Sequence, residues 1–231
     1  MYDIIFISYH EPNAEDLFKD LYKRFNSIGV FGDRVKRVKD VKGIHQAHIE
    51  ASKISNTDYF FVVDGDAEIL DTFKFDYVVP NLVEDIVHVW TSINPLNNLK
   101  YGYGGVKLLP TQLTKDLDTS TSDMTTSIST RFRVMEEVSN ISFFNTDEFS
   151  TWRSAFRECA KLSSKVIDRQ DKGETDERLK IWTNEADGRF CDYAIRGARA
   201  GMEFGLSRGS DLRLINDFDW LKKKFDQLEE I

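Results

Sequence analysis

The chain has 231 residues, of which 41% are hydrophobic, and this is enough to bury one sizeable core. Lysine and arginine number 31 against 39 aspartate and glutamate residues, and the resulting net charge of -8 argues against indiscriminate binding to polyanions. No apolar run reaches membrane-spanning length, and the two cysteines, Cys159 and Cys191, are too few for a disulfide framework or a metal cluster. We therefore expect a cytoplasmic protein with no membrane partner.

The first third of the chain alternates strand and helix patterns in the βαβαβ order that builds a parallel sheet. Short apolar runs predict three strands, and apolar residues repeated every three or four positions predict the helices between them. In chain order, these elements are expected at residues 4–7, 14–25, 35–38, 44–54 and 59–63.

The third strand ends abruptly at Asp64, Gly65 and Asp66. The carboxyl ends of strands form the ligand crevice of an open α/β sheet, so both carboxylates are expected to face a ligand. Two hard oxygen donors one residue apart suit Mg²⁺ or Mn²⁺, which usually keep water and phosphate oxygens as further ligands. An isolated Asp-x-Asp can also be a polar turn that closes a buried strand, and the pattern alone leaves both interpretations open.

The rest of the chain predicts further strands and then helices. Strand candidates at residues 73–79, 86–90, 102–108 and 138–144 would extend the sheet into a mixed one. Residues 111–130 are rich in Thr, Ser and Asp and predict a loop. Helices are expected at residues 150–167, 175–182, 190–204 and 212–228. A polar run near residue 168 predicts a boundary between a domain of residues 1–167 and a helical extension of residues 168–231 packed on it.

Several strand-end and helix-start motifs occur together in the first half of the chain. Residues 8–12 read SYHEP, residue 40 is Asp, residues 43–46 read GIHQ and residues 64–66 read DGD. Together they resemble the nucleotide-sugar-binding half of GT-A glycosyltransferases. The resemblance implies an α/β, Rossmann-like fold with a mixed, mostly parallel sheet, flanking helices and C-terminal helices. It also implies a nucleotide-sugar donor and Mn²⁺ or Mg²⁺ at the Asp-x-Asp, with Asp64 and Asp66 as metal ligands.

The same resemblance implies roles for individual residues. Residues 1–110 would form the donor-binding part and residues 111–167 the acceptor part of the catalytic domain. The first strand's end would line the nucleoside pocket, and Asp40 would contact the base. Lys42 and Gln46 lie where the chain departs from the usual family motifs. The donor-binding residues are then Ser8, Tyr9, Glu11, Asp40, Lys42, Gln46, Asp64, Gly104, Gly105 and Lys107.

Four longer segments resemble a more specific group of proteins. They read KGIHQAHIEASK, DYFFVVDGDAEI, YGYGGVKLLP and STWRSAFRECAKL. They resemble a group of small glycosyltransferase-like proteins of T-even-like bacteriophages and other large viruses. This resemblance implies a host-cytoplasmic enzyme that transfers sugar, from a UDP-sugar by preference, to hydroxymethylated bases in phage DNA. A glycan or small-molecule acceptor, a nucleotidyltransferase and a non-catalytic nucleotide-sugar or DNA-binding module remain as alternatives.

Residues 101–110 place three glycines beside two tyrosines. Gly104 and Gly105 would let backbone N–H groups approach a sugar or phosphate, and Tyr101 or Tyr103 would stack on the acceptor. A strand with a bulge and core tyrosines explains the segment equally well.

Asp147 and Glu148 lie where a strand gives way to a helix, and a carboxylate there can cap the helix or remove a proton. Asp147 is the first candidate for a catalytic base and Glu148 the second, although capping by Asp147 or Ser150 is the commoner role at such a position.

Along the helix that follows Glu148, Arg153, Arg157, Lys161 and Lys165 recur every four residues and form a basic stripe. The stripe could contact diphosphate or DNA, although most such stripes are solvated faces. The predicted acceptor-binding residues are Tyr101, Tyr103, Trp152, Arg153 and Arg157. His45 and His48 lie one helical turn apart; a zinc-binding pair is an open alternative, but they are expected on a helix surface.

Overall fold

The structure, a computed structural model, describes residues 1–29, 32–80, 85–102, 104–120, 123–165, 172–208 and 211–229. The strands are β1 (Asp3–Ser8), β2 (Ile28–Gly29), β3 (Gly32–Asp33), β4 (Val35–Lys39), β5 (Tyr59–Asp64), β6 (Ala67–Ile69), β7 (Val87–Ile93), β8 (Lys100–Tyr101), β9 (Val106–Pro110) and β10 (Phe132–Ser142). The helices are α1 (Ala14–Phe25), α2 (Ile44–Ile54), α3 (Thr111–Lys115), α4 (Met124–Ile128), α5 (Glu148–Ser164), α6 (Lys172–Asn184), α7 (Cys191–Arg208) and α8 (Phe218–Glu229), with a 3₁₀ turn at Arg213–Asn216.

The chain divides into two compact units. The first comprises Met1–Asn94 and Lys100–Phe143, and the second comprises Pro95–Leu99 and Phe144–Ile231. The polar run near residue 168 lies largely outside the described residues, so the domain boundary expected there stays a prediction. No helix in the described ranges is both long enough and apolar enough to cross a membrane.

The first unit is built on one mixed sheet with the strand order β4-β1-β5-β9-β7-β10-β6, and β8 pairs with β7. β1 pairs in parallel with β4 and β5, and β7 pairs in parallel with β10. β9 runs antiparallel between β5 and β7. The predicted fold class is confirmed: a mixed, mostly parallel sheet flanked by helices, consistent with a Rossmann-like GT-A fold.

Strand alternation places apolar side chains on both faces of this sheet. On one face Ile4 and Phe6 pack with Phe18 of α1. On the other face Ile5 and Phe60 pack with Ala51 of α2. Because β1, β4 and β5 are parallel neighbours, their carboxyl ends lie side by side at one edge of the sheet.

The strand predicted at residues 73–79 is wrong. This segment has no regular secondary structure, although Phe73, Phe75 and Val79 are buried. Side chains bond two of its backbone groups: the Arg34 guanidinium donates to the Phe75 carbonyl at 2.5 Å, and the Val79 N–H donates to the Tyr2 hydroxyl at 3.2 Å. The apolar run therefore reflects burial against the sheet and not strand pairing.

Two other predictions need correction. The strand predicted at residues 102–108 begins at Val106, because residues 104 and 105 form a bend. The region predicted as a loop, residues 111–130, contains the short helices α3 and α4. Asp123 begins α4 by accepting a hydrogen bond from the Thr126 N–H at 2.9 Å, so a Ser/Thr/Asp-rich sequence here supplies a helix cap.

The second unit confirms the helical prediction for the C-terminal third, with most bounds shifted by a few residues. The helix predicted at residues 212–228 is instead a 3₁₀ turn at Arg213–Asn216 followed by α8 from Phe218. Three glycines of α7 pack directly on the α5 backbone: a Cβ at Gly197, Gly201 or Gly205 would lie 2.1–2.4 Å from a backbone or side-chain oxygen of α5. The helical spacing of these glycines lets two helix backbones approach closely. Trp152, Phe156, Phe204 and Phe225 form part of the apolar core beside this contact.

Candidate functional site

The candidate site begins at the edge where β1, β4 and β5 end. The Asp40 N–H donates to the Ser8 carbonyl at 2.9 Å, which ties the end of β4 to the end of β1. Both strands are followed by a residue with positive φ, His10 at 64° and Asp40 at 58°. Left-handed backbone at residues other than glycine is uncommon and clusters at ligand-binding edges. β5, the third of these strands, ends at Asp64, and the acidic turn that follows it lies at the same edge.

Asp64 is held by a lysine from the neighbouring antiparallel strand. The Lys107 Nζ lies 3.0 and 3.1 Å from the two carboxylate oxygens of Asp64. Lys107 is the cross-strand partner of Val62, and Asp64 lies two residues beyond Val62, so the two charged side chains share one sheet face. The Lys107 side chain is 8% exposed and that of Asp64 is 38% exposed, so the ion pair reaches from the interior to the surface.

Glu11 brings another carboxylate close to the acidic turn. Its Oε2 accepts a hydrogen bond from the Tyr9 N–H at 2.5 Å. A Cβ at Gly65 would lie 2.7 Å from the same Oε2 and 3.0 Å from the Ile7 carbonyl oxygen. Glycine at position 65 therefore lets the turn between the two aspartates pass directly over the end of β1. Of the predicted donor-binding residues, the fold brings Tyr9, Glu11 and Asp64 to one edge.

Gly104 and Gly105 make room for side chains of the protein itself. A Cβ at Gly104, where φ is +97°, would lie 3.0 Å from Lys107 Cε. A Cβ at Gly105 would lie 2.4 Å from the Asn140 side-chain nitrogen. The Gly105 carbonyl also accepts a hydrogen bond from the Asp64 N–H at 2.9 Å. Both glycines thus shape the surroundings of Asp64, and their predicted contact with a donor stays a prediction.

His48 of α2 lies behind this ion pair. The expectation of a surface histidine is wrong, because the residue is only 2% exposed. Its Nδ1 bonds the Ile44 carbonyl at 2.8 Å, and since a carbonyl only accepts, Nδ1 carries the proton. Its Nε2 is buried and has no hydrogen-bond partner in the described part of the chain. Burial, and next the positive charge of Lys107, lower the pKa of His48 to about 4.

Of the remaining donor-binding candidates, one side chain is buried and three are exposed. Ser8 is buried, and its hydroxyl accepts hydrogen bonds from Arg37 Nε at 3.2 Å and Nη2 at 3.0 Å. Asp40, Lys42 and Gln46 are exposed. Gln46 donates to Glu50 at 2.8 Å on the same helix. The hydroxyl of Ser8 is therefore oriented by an arginine that the sequence motif does not include.

Of the two tyrosines predicted to contact an acceptor, Tyr101 lies within the described residues. Tyr101 is 6% exposed and belongs to β8, where it pairs with Ser92 of β7. Tyr103 lies outside the described residues. The role of both in acceptor binding stays a prediction.

Asp147 caps α5, as the alternative interpretation anticipated. One carboxylate oxygen accepts from the Ser150 N–H at 2.7 Å, and the other accepts from the Ser150 hydroxyl at 2.7 Å. Glu148 is exposed in the first turn. These bonds fix the Asp147 carboxylate in one orientation, and the catalytic role predicted for either residue stays a prediction.

The predicted acceptor-binding residues of α5 contact other parts of the second unit. Trp152 is fully buried and stacks on Phe156 with ring centroids 4.8 Å apart. The Arg153 guanidinium lies 5.2 Å from the centre of the Phe218 ring. Arg157 donates to the Ile215 carbonyl at 2.8 Å. The first half of the predicted basic stripe therefore packs within the unit.

A divalent cation has a partial fit at the acidic turn. Asp64 and Asp66 offer hard carboxylate oxygens one residue apart, which is the donor chemistry that Mg²⁺ and Mn²⁺ prefer. No group of three His, Cys, Asp or Glu side chains in the described ranges could hold a metal ion. A cation there would need phosphate or water oxygens to complete its coordination, and it would share Asp64 with Lys107.

Sequence reasoning named Asp64 and Lys107 separately but missed their pairing, and it missed the burial of His48 and the hydrogen bonds from Arg37 to Ser8. The pairing could be inferred only once β9 was known to run antiparallel to β5, because Val62 then opposes Lys107. Arg37 lies on β4, opposite Phe6 of β1 in the register. Because side chains alternate along a strand, Ser8, two residues after Phe6, lies on the same face as Arg37, and this alternation is the signal for their contact.

Comparisons with known proteins give only distant similarities. No protein-family model and no curated protein matches the chain. HddC from Yersinia pseudotuberculosis is similar in its crystal structure, with 14% identity over 60% of this chain and 90% of that chain and a TM-score of 0.38. The mannosyltransferase PcManGT from Pyrobaculum calidifontis, solved with GDP-Man and Mn²⁺, shows 10% identity over 99% of this chain and 80% of that chain, with a TM-score of 0.45.

Proposed function

We propose that the protein is a glycosyltransferase that moves a sugar from a nucleotide-sugar donor to an acceptor hydroxyl, with Mn²⁺ or Mg²⁺ as its cofactor. The observation that carries the proposal is the position of Asp64 and Asp66 at the carboxyl end of β5, beside the ends of β1 and β4. This edge is where ligands bind in open α/β sheets. It also combines acidic side chains with a buried lysine, a combination suited to a metal-bound phosphate group.

Asp64 and Asp66 would hold the cation, which when bound would offset the negative charge of the departing diphosphate. Lys107 supplies a positive charge at the same place. The ends of β1 and β4 offer Tyr9, Glu11 and the exposed Asp40 to the nucleoside, and we propose a UDP-sugar as the donor. Positioning and charge stabilisation would then supply the catalysis.

For the acceptor we propose a hydroxymethylated base in DNA, on the strength of the sequence resemblance to phage proteins. Arg153 and Arg157 give this acceptor little support, because both contact other residues of the second unit. A hydroxyl of a glycan or small molecule is the second candidate. Mass spectrometry of nucleosides after incubation with hydroxymethylated DNA distinguishes the two, since only the first yields a base with the mass of an added hexose or pentose.

The central test is donor hydrolysis and transfer by the variant Asp66→Ala. We expect both activities to be lost, and excess chelator to abolish them in the unaltered protein, while the circular dichroism spectrum stays the same. Glu68→Ala is the matched control, because Glu68 is an exposed acid two residues further along. Full activity of Asp66→Ala, or full activity in excess chelator, contradicts the proposal. UDP binding without turnover by the unaltered protein would instead indicate a binding module.

A further inference from the structure

Lys107 forms an ion pair with Asp64, whose carboxylate a divalent cation would need as a ligand. Its Nζ lies at hydrogen-bond distance from both oxygens of Asp64, at 3.0 and 3.1 Å. A cation that coordinates Asp64 therefore has to share this carboxylate with an ammonium or replace the ammonium there. The consequence depends on whether Lys107 can find another anionic partner.

The strand position of Lys107 prevents a simple escape to water. β9 lies between β5 and β7, and Lys107 is opposite Val62 on one side and Val89 on the other. Its side chain is only 8% exposed. A buried ammonium without a partner is costly, and an ammonium a few ångströms from a divalent cation is repelled by it. Cation binding at Asp64 alone is therefore opposed by Lys107.

A diphosphate at the same edge changes this balance. Its oxygens can accept hydrogen bonds from the Lys107 ammonium and also coordinate the cation, so that each positive charge has an anionic partner. Gly104 lets the Lys107 side chain lie close to the loop, because a Cβ at position 104 would crowd it, at 3.0 Å from Cε and 3.5 Å from Nζ. The flexible four-carbon stem of lysine allows the ammonium to change partner without movement of the strand.

We infer that Lys107 makes divalent-cation binding at Asp64 conditional on the donor's diphosphate. In the absence of donor Lys107 holds Asp64, and in its presence Lys107 moves to the phosphate and Asp64 becomes available to the cation. The inference rests on the proposed function, since it assumes that Asp64 and Asp66 bind a cation. Coupling of this kind is reciprocal, so the cation must strengthen diphosphate binding by the same factor.

The test measures Mn²⁺ bound to the protein by equilibrium dialysis at fixed free Mn²⁺, with UDP, with pyrophosphate and with neither. Pyrophosphate reports on the phosphate contact without a base. For the unaltered protein we expect either anion to tighten Mn²⁺ binding by about 10-fold, an ordinary size for coupling between two ligands. For Lys107→Met we expect Mn²⁺ alone to bind more tightly than to the unaltered protein, and the effect of the anion to fall several-fold.

Matched variants separate charge from packing. Lys107→Arg keeps the positive charge and should keep the coupling, whereas Lys107→Gln should behave like Lys107→Met and serves if the latter folds poorly. Mn²⁺ binding with the same coupling in Lys107→Met or Lys107→Gln as in the unaltered protein would overturn the inference and leave the proposed function standing. Absence of Mn²⁺ binding from all the variants and the unaltered protein, with UDP and with pyrophosphate, would instead remove the proposed metal site and the inference with it.

Discussion

The ammonium of Lys107 bonds both carboxylate oxygens of Asp64, so removal of the carboxylate leaves a nearly buried positive charge unpaired. We expect Asp64→Ala to lower the free energy of unfolding by about 2 kcal/mol, less than the roughly 3–5 kcal/mol of a fully buried pair because Asp64 is over a third exposed. Urea denaturation measures the change. The double variant Asp64→Ala/Lys107→Met should recover part of the loss, and a double variant that is simply additive would contradict this account.

For Gly→Ala substitutions in α7, its packing on α5 predicts a loss of stability, whereas helix propensity alone predicts a gain. In an exposed helix Gly→Ala stabilises by about 1 kcal/mol. At Gly201 the new Cβ would lie 2.1 Å from the Phe156 carbonyl oxygen, so the helices would have to separate. We expect Gly201→Ala to destabilise the protein by about 1–3 kcal/mol, the usual cost of overpacking, as measured by thermal or urea unfolding.

The control for Gly201→Ala is Glu203→Ala, an alanine substitution at an exposed position of the same helix. It should change the unfolding free energy by less than about 0.5 kcal/mol. A stabilised Gly201→Ala variant would show that α5 and α7 are not in close backbone contact.

Burial of His48 predicts a pH dependence of stability. The folded-state pKa is about 4 and the unfolded value is near 6.5, so between these values the unfolded chain binds a proton that the folded chain does not. The contribution of His48 to stability is therefore fully present above pH 6.5 and is lost as the pH is lowered toward 4, and it amounts to roughly 3 kcal/mol.

The contribution of His48 is isolated by comparison of variants. Urea denaturation of His48→Gln between pH 4 and pH 7 should show a shallower loss of stability than the unaltered protein. His10→Asn is the matched control, because His10 is exposed and asparagine tolerates its positive φ. Equal slopes for the unaltered protein and His48→Gln would mean that His48 is protonated as readily in the folded state as in the unfolded one.

Local patterns predict the βαβαβ half of the fold well because β1 and β4 are each followed by a helix with one apolar side. The patterns fail where burial occurs without regular pairing. Phe73 and Phe75 are as apolar as strand residues, but the Phe73 N–H donates to the Leu70 carbonyl and the Phe75 carbonyl accepts from Arg34. A sequence window records only that these side chains avoid water, and the hydrogen bond to Phe75 depends on a residue distant in the chain.

The candidate site likewise contains residues that the sequence pattern predicts and residues that it does not. Asp64 and Asp66 can be found from the sequence because they interrupt an apolar run of strand length. The Lys107 partner cannot, since 43 positions separate it from Asp64 and only the antiparallel direction of β9 brings it there. The burial of His48 likewise depends on which face of α2 meets the sheet, and two histidines one turn apart do not reveal this.

Asp147 allows capping to be separated from catalysis with two substitutions. Asparagine is as good a helix cap as aspartate but cannot accept a proton as a base, whereas alanine can do neither. We expect Asp147→Ala to lose about 1 kcal/mol of unfolding free energy, because the Ser150 N–H and hydroxyl lose their acceptor. Asp147→Asn should keep nearly the stability of the unaltered protein.

The activity of Asp147→Asn then decides the catalytic role. If Asp147 removes the acceptor proton, transfer should fall by about 10²- to 10⁴-fold in this stable variant, while hydrolysis of the donor falls much less. Glu148→Gln is the parallel variant for the second candidate, since Glu148 is exposed in the first turn of α5 and glutamine keeps the size of its side chain. If Asp147→Asn transfers sugar at the full rate, Asp147 serves only as the cap of α5, and the base has to be sought elsewhere.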